Sequence, residues 1–180
     1  MTNKNILFLL SGSIACFKAC EVISALVKNS CQVQTAVTQN ALKFIGIATL
    51  QGLTNRSVYT DMFGPRQQGT EHIHLNQWAD ITVVCPASAN VIGKMANGIA
   101  DDEVSTLLLS HDFQKPCLLV PAMNTNMYHH PATQQSLEKL KSWGIHVMAC
   151  RRGRLACGVE GEGRMPEPAD VLAAIEELVK

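Results

Sequence analysis

The stretch Ile6-Leu7-Phe8-Leu9-Leu10-Ser11-Gly12-Ser13-Ile14-Ala15 decides how the chain is read. Its unbroken apolar run, residues 6–10, fits a strand buried on both faces. Ser11-Gly12-Ser13 breaks the run, and a helical stripe of Ala15, Ala19, Val22, Ile23 and Leu26 follows. The same alternation continues outward from there. Gln32–Val37 reads as a second strand, after which Thr38 can cap a helix through Ala41 and Phe44. Residues 81–85 read as a third strand halted by Pro86, and residues 118–120 as a fourth halted by Pro121. A helix over 134–143 ends at Gly144, and residues 145–149 form a fifth strand. A last helix starts near Pro168, with Asp170 in its first turn and Val171, Leu172, Ile175 and Leu178 facing inward. Strands alternating with helices predict an α/β, doubly wound, mostly parallel sheet with helices on both faces.

A chain of 180 residues, 47% of them hydrophobic, fits one domain with a full core, and 5% aromatic content makes that core aliphatic. Fifteen basic and fifteen acidic residues, with no long block of one sign, leave no nucleic-acid footprint and no membrane-surface patch. The apolar runs fall far short of the ~20 residues a bilayer needs. Met1-Thr2-Asn3-Lys4-Asn5 runs straight into the first strand, so no signal peptide is expected. Seven cysteines, an odd number without C-x-x-C spacing, argue against a secreted disulfide framework and for a cytoplasmic protein. Cys16 and Cys20 lie one helical turn apart, but no clustered histidine or acid completes a metal site. Most of the thiols read as small buried hydrophobes. No repeat, low-complexity tract or linker divides residues 1–180.

Each conspicuous polar cluster follows a strand: Ser11-Gly12-Ser13, Thr38, Ser88-Ala89-Asn90 and Met123-Asn124. In open parallel sheets ligands bind at those carboxyl ends. Gly12 permits close backbone approach and the following helix start offers N–H groups to a phosphate, although the motif is neither G-x-G-x-x-G nor a Walker loop and also reads as a tight turn. Pro86-Ala87-Ser88-Ala89-Asn90 and Pro121-Ala122-Met123-Asn124-Thr125-Asn126-Met127 suit a flat, polar-edged ring; alternatively, Ser88 and Asn124 merely cap helices. His72-Ile73-His74 places two imidazoles on one face if the segment is extended. A metal there would need a further convergent ligand, whereas an acid–base role fits an imidazole pKa of about 6.5. His111, His129, His130 and His146 are expected in loops or on the surface. Residues 155–165 hold three glycines around Cys157 and are expected to be irregular, either an idle loop or a flap closing over a substrate.

Taken in order, these pieces resemble the homo-oligomeric flavin-containing cysteine decarboxylases. The matching residues are Gly12-Ser13-Ile14-Ala15, then His72-Ile73-x-Leu75 before Trp78-Ala79-Asp80, then the two proline-led clusters, and last Ala156-Cys157-Gly158 leading to Gly163-Arg164-Met165. They span nearly the whole chain and are nearest the coenzyme A branch of that family. The resemblance implies a Rossmann-like (flavodoxin-like) fold and FMN held by Gly12, Ser13, Ile14, Thr38, Phe44, Ser88, Ala89, Asn90, Val91 and Ala122. It implies His72 and Cys157 as catalytic residues, with Asn124, Met127, Gly163, Arg164 and Met165 binding substrate, residues 157–165 being the clamp. It also implies a trimer or a dodecamer of trimers with active sites between subunits, and a phosphopantothenoylcysteine synthetase, fused in some bacteria, as a partner. Val91 stands where the flavin motif usually has Thr, and Val159 where Asp is usual.

The implied reaction is FMN-dependent decarboxylation of 4′-phosphopantothenoylcysteine to 4′-phosphopantetheine. Losing CO2 from a cysteine carboxylate leaves electrons that the amino acid cannot accept. Oxidation of CH2–SH to a thioaldehyde supplies the sink, and the resulting ene-thiol is then reduced. Two other readings within reach are a peptidyl-cysteine decarboxylase and a flavin-binding regulatory subunit without catalysis. Regulatory relatives typically carry acidic or disordered extensions that this sequence lacks, and residues 157–165 resemble the coenzyme A branch more than the peptide branch. A flavin prenyltransferase would share the fold but not the clamp.

Overall fold

The structure, a computed structural model, describes residues 2–62, 69–154, 158 and 160–180. Its first strand, β1 (Asn5–Leu10), feeds α1 (Cys16–Lys28), and β2 (Gln32–Val37) returns beside it. A 3-10 turn at Ala41–Lys43, α2 (Ile47–Thr54) and α3 (Glu71–Trp78) follow. The middle of the chain supplies β3 (Ile81–Ala87), α4 (Ala89–Asn97), α5 (Glu103–Leu109) and β4 (Cys117–Pro121). Beyond it come α6 (Thr125–His129), α7 (Pro131–Ser142) and β5 (His146–Val147). A hairpin of β6 (Arg151–Arg154) and β7 (Glu160–Arg164) precedes the last helix, α8 (Pro168–Leu178).

Strands β1 to β5 form one parallel sheet in the order β2-β1-β3-β4-β5, the flavodoxin-like doubly wound order. Because side chains alternate along a strand, Ile6, Phe8 and Leu10 enter the core under α1, α2 and α8. Leu7 and Leu9 enter the core under α4, α5 and α7. That two-sided burial is why β1 carries no polar residue after Asn5. Each fully buried Leu or Ile stabilises the fold by roughly 1.5–3 kcal/mol. The predicted stripe of α1 is buried at Ala19, Val22, Ile23 and Leu26. On α8, Val171 and Ile175 are buried, while Leu172 and Leu178 pack half-buried on the same core. Among the described residues no helix is long and apolar enough to cross a membrane.

Several elements depart from the sequence reading. β3 runs through Pro86 to Ala87 because its register against β4 shifts between Val84 and Ala87. A proline without an N–H sits in that irregularity and removes no ladder bond. β4 includes Pro121 as its last residue, and the fifth strand is only two residues long, paired with Leu118 and Leu119. The helix expected from residue 134 starts at Pro131, with His130 accepting the N–H of Ala132 at 3.2 Å. Part of the Gly-rich segment is a strand after all, since β7 pairs antiparallel with β6. His72 and His74 lie on α3, where two positions are about 200° apart, so their side chains diverge rather than share a face. His111 lies in a loop as expected, but buried there: its Nδ1 accepts the N–H of Phe113 at 3.1 Å, and burial pushes its pKa down.

The carboxyl ends of the strands are joined by hydrogen bonds outside the ladder. Ser11 donates its hydroxyl to the carbonyl of Pro86 at 2.7 Å, and its oxygen accepts the N–H of Ser88 at 2.8 Å. Thr38 donates its N–H to Leu10 and Ala122 donates its N–H to Ala87, each at 3.0 Å. The turns after β1, β2, β3 and β4 are thereby tied into one rim. Ser11→Ala leaves the Ser88 N–H without this acceptor and should cost about 1–3 kcal/mol. Urea denaturation checks this as a lower midpoint at unchanged slope. An unchanged midpoint would show that the rim does not depend on the hydroxyl.

Candidate functional site

The chain leaves β1 outward to β2 on one side and to β3 on the other, so the strand order reverses between β1 and β3. Doubly wound sheets bind ligands in the crevice outside such a switch point. A cleft of about 700 Å³ opens there. One wall is the turn Gly12-Ser13-Ile14-Ala15 with Phe17 and Lys18 of α1. Ser88 lines it from the end of β3, and Ala122, Met123, Asn124 and Met127 line it from the end of β4 and from α6. Arg154, Gly163, Arg164 and Met165 close the remaining side from the hairpin.

Local chemistry explains each wall. A Cβ on Gly12 would lie 2.7 Å from the Cβ of Asn40, so only glycine lets the turn after β1 pack on the segment after β2. Ser13 accepts the N–H of Ala15 on its hydroxyl at 3.2 Å, and α1 then begins without a side-chain cap. Such a helix start favours an anion. Thr38 accepts the N–H of Ala41 on its hydroxyl at 3.2 Å, but the expected helix is only a 3-10 turn over Ala41–Lys43, whose N-cap is Asn40, so Thr38 closes a turn rather than capping a helix. Ser88 caps α4 by accepting from Val91 at 3.4 Å, and Asn124 caps α6 by accepting from Asn126 at 2.8 Å. The two readings of these residues are therefore compatible, since a cap stands where a helix leaves the rim of the sheet.

The hairpin is fastened to this rim by polar contacts. Met123 donates its N–H to Gly163 at 2.9 Å, and the Thr125 hydroxyl donates to the carbonyl of Glu162 at 2.7 Å. A Cβ on Gly161 would collide with Thr125, and one on Gly163 with the carbonyl of Met123. Glu167, the cap of α8, receives Lys18 and Arg164, each at 2.8 Å. The Lys18 ammonium holds the Glu167 carboxyl below the usual carboxylate range, with Arg164 and Arg151 adding to the effect. Beneath the cleft, Cys16 donates to the carbonyl of Ser11 at 3.4 Å and Cys85 lies 4.0 Å from the sulfur of Met165. Burial pushes both thiols up, so neither is a thiolate nucleophile at neutral pH. Cys150 is pushed up to about 12, chiefly by burial.

The Flavoprotein family profile matches residues 1–180. The chain belongs to the flavoprotein family. It is 40% identical over 178 residues to the coenzyme A biosynthesis bifunctional protein CoaBC of Bacillus subtilis (strain 168), an alignment covering 98% of this flavoprotein and 43% of that relative. It thus spans less than half the length of that protein. A PPC decarboxylase mutant complexed with pantothenoylaminoethenethiol superposes with a TM-score of 0.88 at 30% identity, over 97% of each chain. The FMN binding protein AtHal3 superposes with a TM-score of 0.85 at 31% identity, over 97% of this chain and 96% of that one.

In this flavoprotein the cleft brings together Gly12, Ser13, Ile14, Ser88 and Ala122 of the expected cofactor residues, and Asn124, Met127, Gly163, Arg164 and Met165 of the expected substrate residues. Thr38 is buried behind the rim and Phe44 is exposed beside it, while Ala89 and Asn90 open α4. Val91 is a core residue whose N–H goes to Ser88, so its side chain does not reach the cleft. His72 does not line the cleft: α3 packs on α5 and β1, across the sheet from α1. Cys157 lies outside the described residues, as do Ala156 and Val159. Sequence reasoning missed Phe17, Lys18 and Arg154, all of which line the cleft. Phe17 and Lys18 sit three and four positions after Ile14, a helical spacing that marked the same face.

The residues present fit a flavin mononucleotide. The volume lies within the roughly 300–1,000 Å³ of small-molecule sites. Ile14, Phe17 and Met127 expose 57%, 56% and 48% of their surface, apolar walls suited to a flat ring. The start of α1 suits one terminal phosphate. Gly163 combines a φ of +121° with the close Met123 carbonyl. Gly163→Ala should therefore cost about 1–3 kcal/mol of local strain and loosen the hairpin. Limited proteolysis should cut the hairpin of this variant faster than that of the wild type, and an equal cutting rate would show the contact to be dispensable.

Proposed function

We propose that this flavoprotein holds FMN in the cleft and decarboxylates 4′-phosphopantothenoylcysteine to 4′-phosphopantetheine. The observation that carries this reading is the meeting of the cofactor turns, Asn124 and the clamp hairpin in one cleft, within a chain that superposes on a PPC decarboxylase over 97% of its length. The bound flavin supplies a two-electron acceptor that later returns the electrons. Gly12 and Ser13 hold the phosphate end of the cofactor, and Ser88 and Ala122 border its ring. Asn124 orients the substrate carboxylate by hydrogen bonding. Met127 and Met165 cover the apolar part of the substrate, and Gly163 and Arg164 fix the base of the clamp. His72 takes the thiol proton or stabilises the thiolate during oxidation. Cys157 donates the proton in the closing reduction, since a thiol with a reference pKa of about 8.5 is mostly protonated at neutral pH.

Because His72 stands across the sheet from α1, a second copy must bring its own α3 to the cleft. A homo-oligomer, a trimer or a dodecamer of trimers, satisfies that requirement. The cysteines among the described residues are free and mostly buried, which fits a cytoplasmic location. A phosphopantothenoylcysteine synthetase, separate or fused, supplies the substrate.

Incubation with 4′-phosphopantothenoylcysteine should release CO2 and 4′-phosphopantetheine, and denaturation should release FMN; FAD, or no CO2, would sink the reading. His72→Asn should keep FMN but fail to bleach flavin absorbance on anaerobic mixing with substrate, whereas His74→Asn should bleach it. Bleaching at the wild-type rate in His72→Asn would remove the histidine from the oxidation. Cys157→Ser should release CO2 for about one turnover and stall with a product two hydrogens lighter than 4′-phosphopantetheine, because a serine hydroxyl is a far weaker acid. Mass spectrometry of the anaerobic reaction reads this, and normal turnover would leave Cys157 without a role. Mixed oligomers of His72→Asn and Cys157→Ser should regain activity that neither has alone, if each site draws on two subunits.

A further inference from the structure

We infer that Arg154 recognises the phosphate end of the substrate, a phosphomonoester, and so selects phosphorylated over unphosphorylated pantothenoylcysteine. The inference rests on the decarboxylase reading and deepens it at one residue. Three cations line the cleft, Lys18, Arg154 and Arg164, and the described lining includes no aspartate or glutamate. Lys18 and Arg164 are both engaged by the two carboxylate oxygens of Glu167. Arg154 is exposed at the end of β6, across from Glu160 of β7, and among the described residues its guanidinium has no ion pair. A planar guanidinium at the cleft, without an ion pair among the described residues, matches phosphate oxygens two at a time.

Two phosphomonoesters compete for that role, the cofactor's and the substrate's. The cofactor's has the start of α1 with Gly12 and Ser13, on a different element. Arg154 stands on the hairpin instead, opposite Glu160 and three residues along the ribbon from Gly163, where the hairpin is bonded to Met123. At roughly 3.3 Å per residue that separation is about 10 Å. The space between Asn124, which holds the substrate carboxylate, and Arg154 is therefore left for the pantothenoyl arm, with the phosphate at its far end.

The test uses the FMN-loaded protein and the pair 4′-phosphopantetheine and pantetheine, titrated by calorimetry. Wild type should bind the phosphorylated compound more tightly. Arg154→Gln should weaken it by about tenfold or more while leaving pantetheine unchanged, as expected for losing a charge-assisted contact. Arg154→Lys should recover part of the loss, a point charge replacing the fork. In turnover, Arg154→Gln should raise KM for 4′-phosphopantothenoylcysteine with kcat kept and flavin content unchanged. Equal weakening of both ligands, or none, overturns the proposal. Loss of FMN with riboflavin binding retained also overturns it, by assigning the guanidinium to the cofactor. A wild-type protein that shows the phosphate preference and its loss in Arg154→Gln, yet releases no CO2, sustains this assignment and sinks the decarboxylase reading.

Discussion

The buried hydroxyl of Ser11, shared between the carbonyl of Pro86 and the N–H of Ser88, fixes where β1 and β3 end relative to each other. The cleft depends on that level. Gly12 and Ser13 start directly after it on one strand, and Ser88 opens α4 directly after it on the other. Thr38 on Leu10 and Ala122 on Ala87 carry the same rim sideways to β2 and β4, and Met123 on Gly163 carries it to the hairpin. In the low dielectric of a buried site these bonds are stronger than on the surface, and an unmade one is correspondingly costly. A ligand meeting this rim finds backbone groups already oriented.

The hairpin obeys different physics from the sheet it borders. A two-stranded ribbon is marginal by itself, and most of β6 and β7 is exposed. What holds it is polar: two hydrogen bonds to the end of β4 and the start of α6, and the charges gathered on Glu167 and Asp170. The folded pKa of Glu167 is depressed, so its contribution is present above the unfolded carboxylate pKa and is lost as pH falls through the folded value. Acid therefore loosens the base of the hairpin before it touches the aliphatic cores. Segments that close over ligands are drawn from this less stable end of a structure.

The sheet was legible in the sequence because its signal is local and repeated. Residues 6–10 are apolar at every position since both faces are buried, and the α1 stripe recurs at helical spacing because one face meets that core. Two caps were legible too, for Ser88 and Asn124 act on backbone two or three residues away. The hairpin was not. Gly161 and Gly163 suggest irregular chain when read alone, but the residues that demand them, Thr125 and Met123, lie far back in the sequence. Pro86 misled for a similar reason, since the irregularity that accommodates it is a relation between β3 and β4. The conformation of His72-Ile73-His74 was left open by the sequence, and the docking of α3 is set by distant groups. Lys115 binds the carbonyls of Asn76 and Gln77, and Asn76 binds Leu107 and Ser110 of the α5 end.

The cleft is unequal in what a single chain supplies. As proposed, its cofactor side is built from turns fixed by the sheet, and its substrate side from Asn124 and the hairpin. On the proposed reading the imidazole arrives from elsewhere, because α3 belongs to the opposite face of the sheet. Among the described residues the same cleft leaves an apolar rim, Ile14, Phe17 and Met127, exposed. Covering it is favourable by roughly 25 cal/mol per Å² of apolar surface. On the proposed reading assembly and chemistry would be one requirement: the contact that covers part of this rim would also deliver His72, and the water it excludes would strengthen the interactions of Asn124 and Arg154 with a charged substrate. On that reading an isolated copy would retain the turns proposed to hold the cofactor and lack the imidazole proposed to start the oxidation.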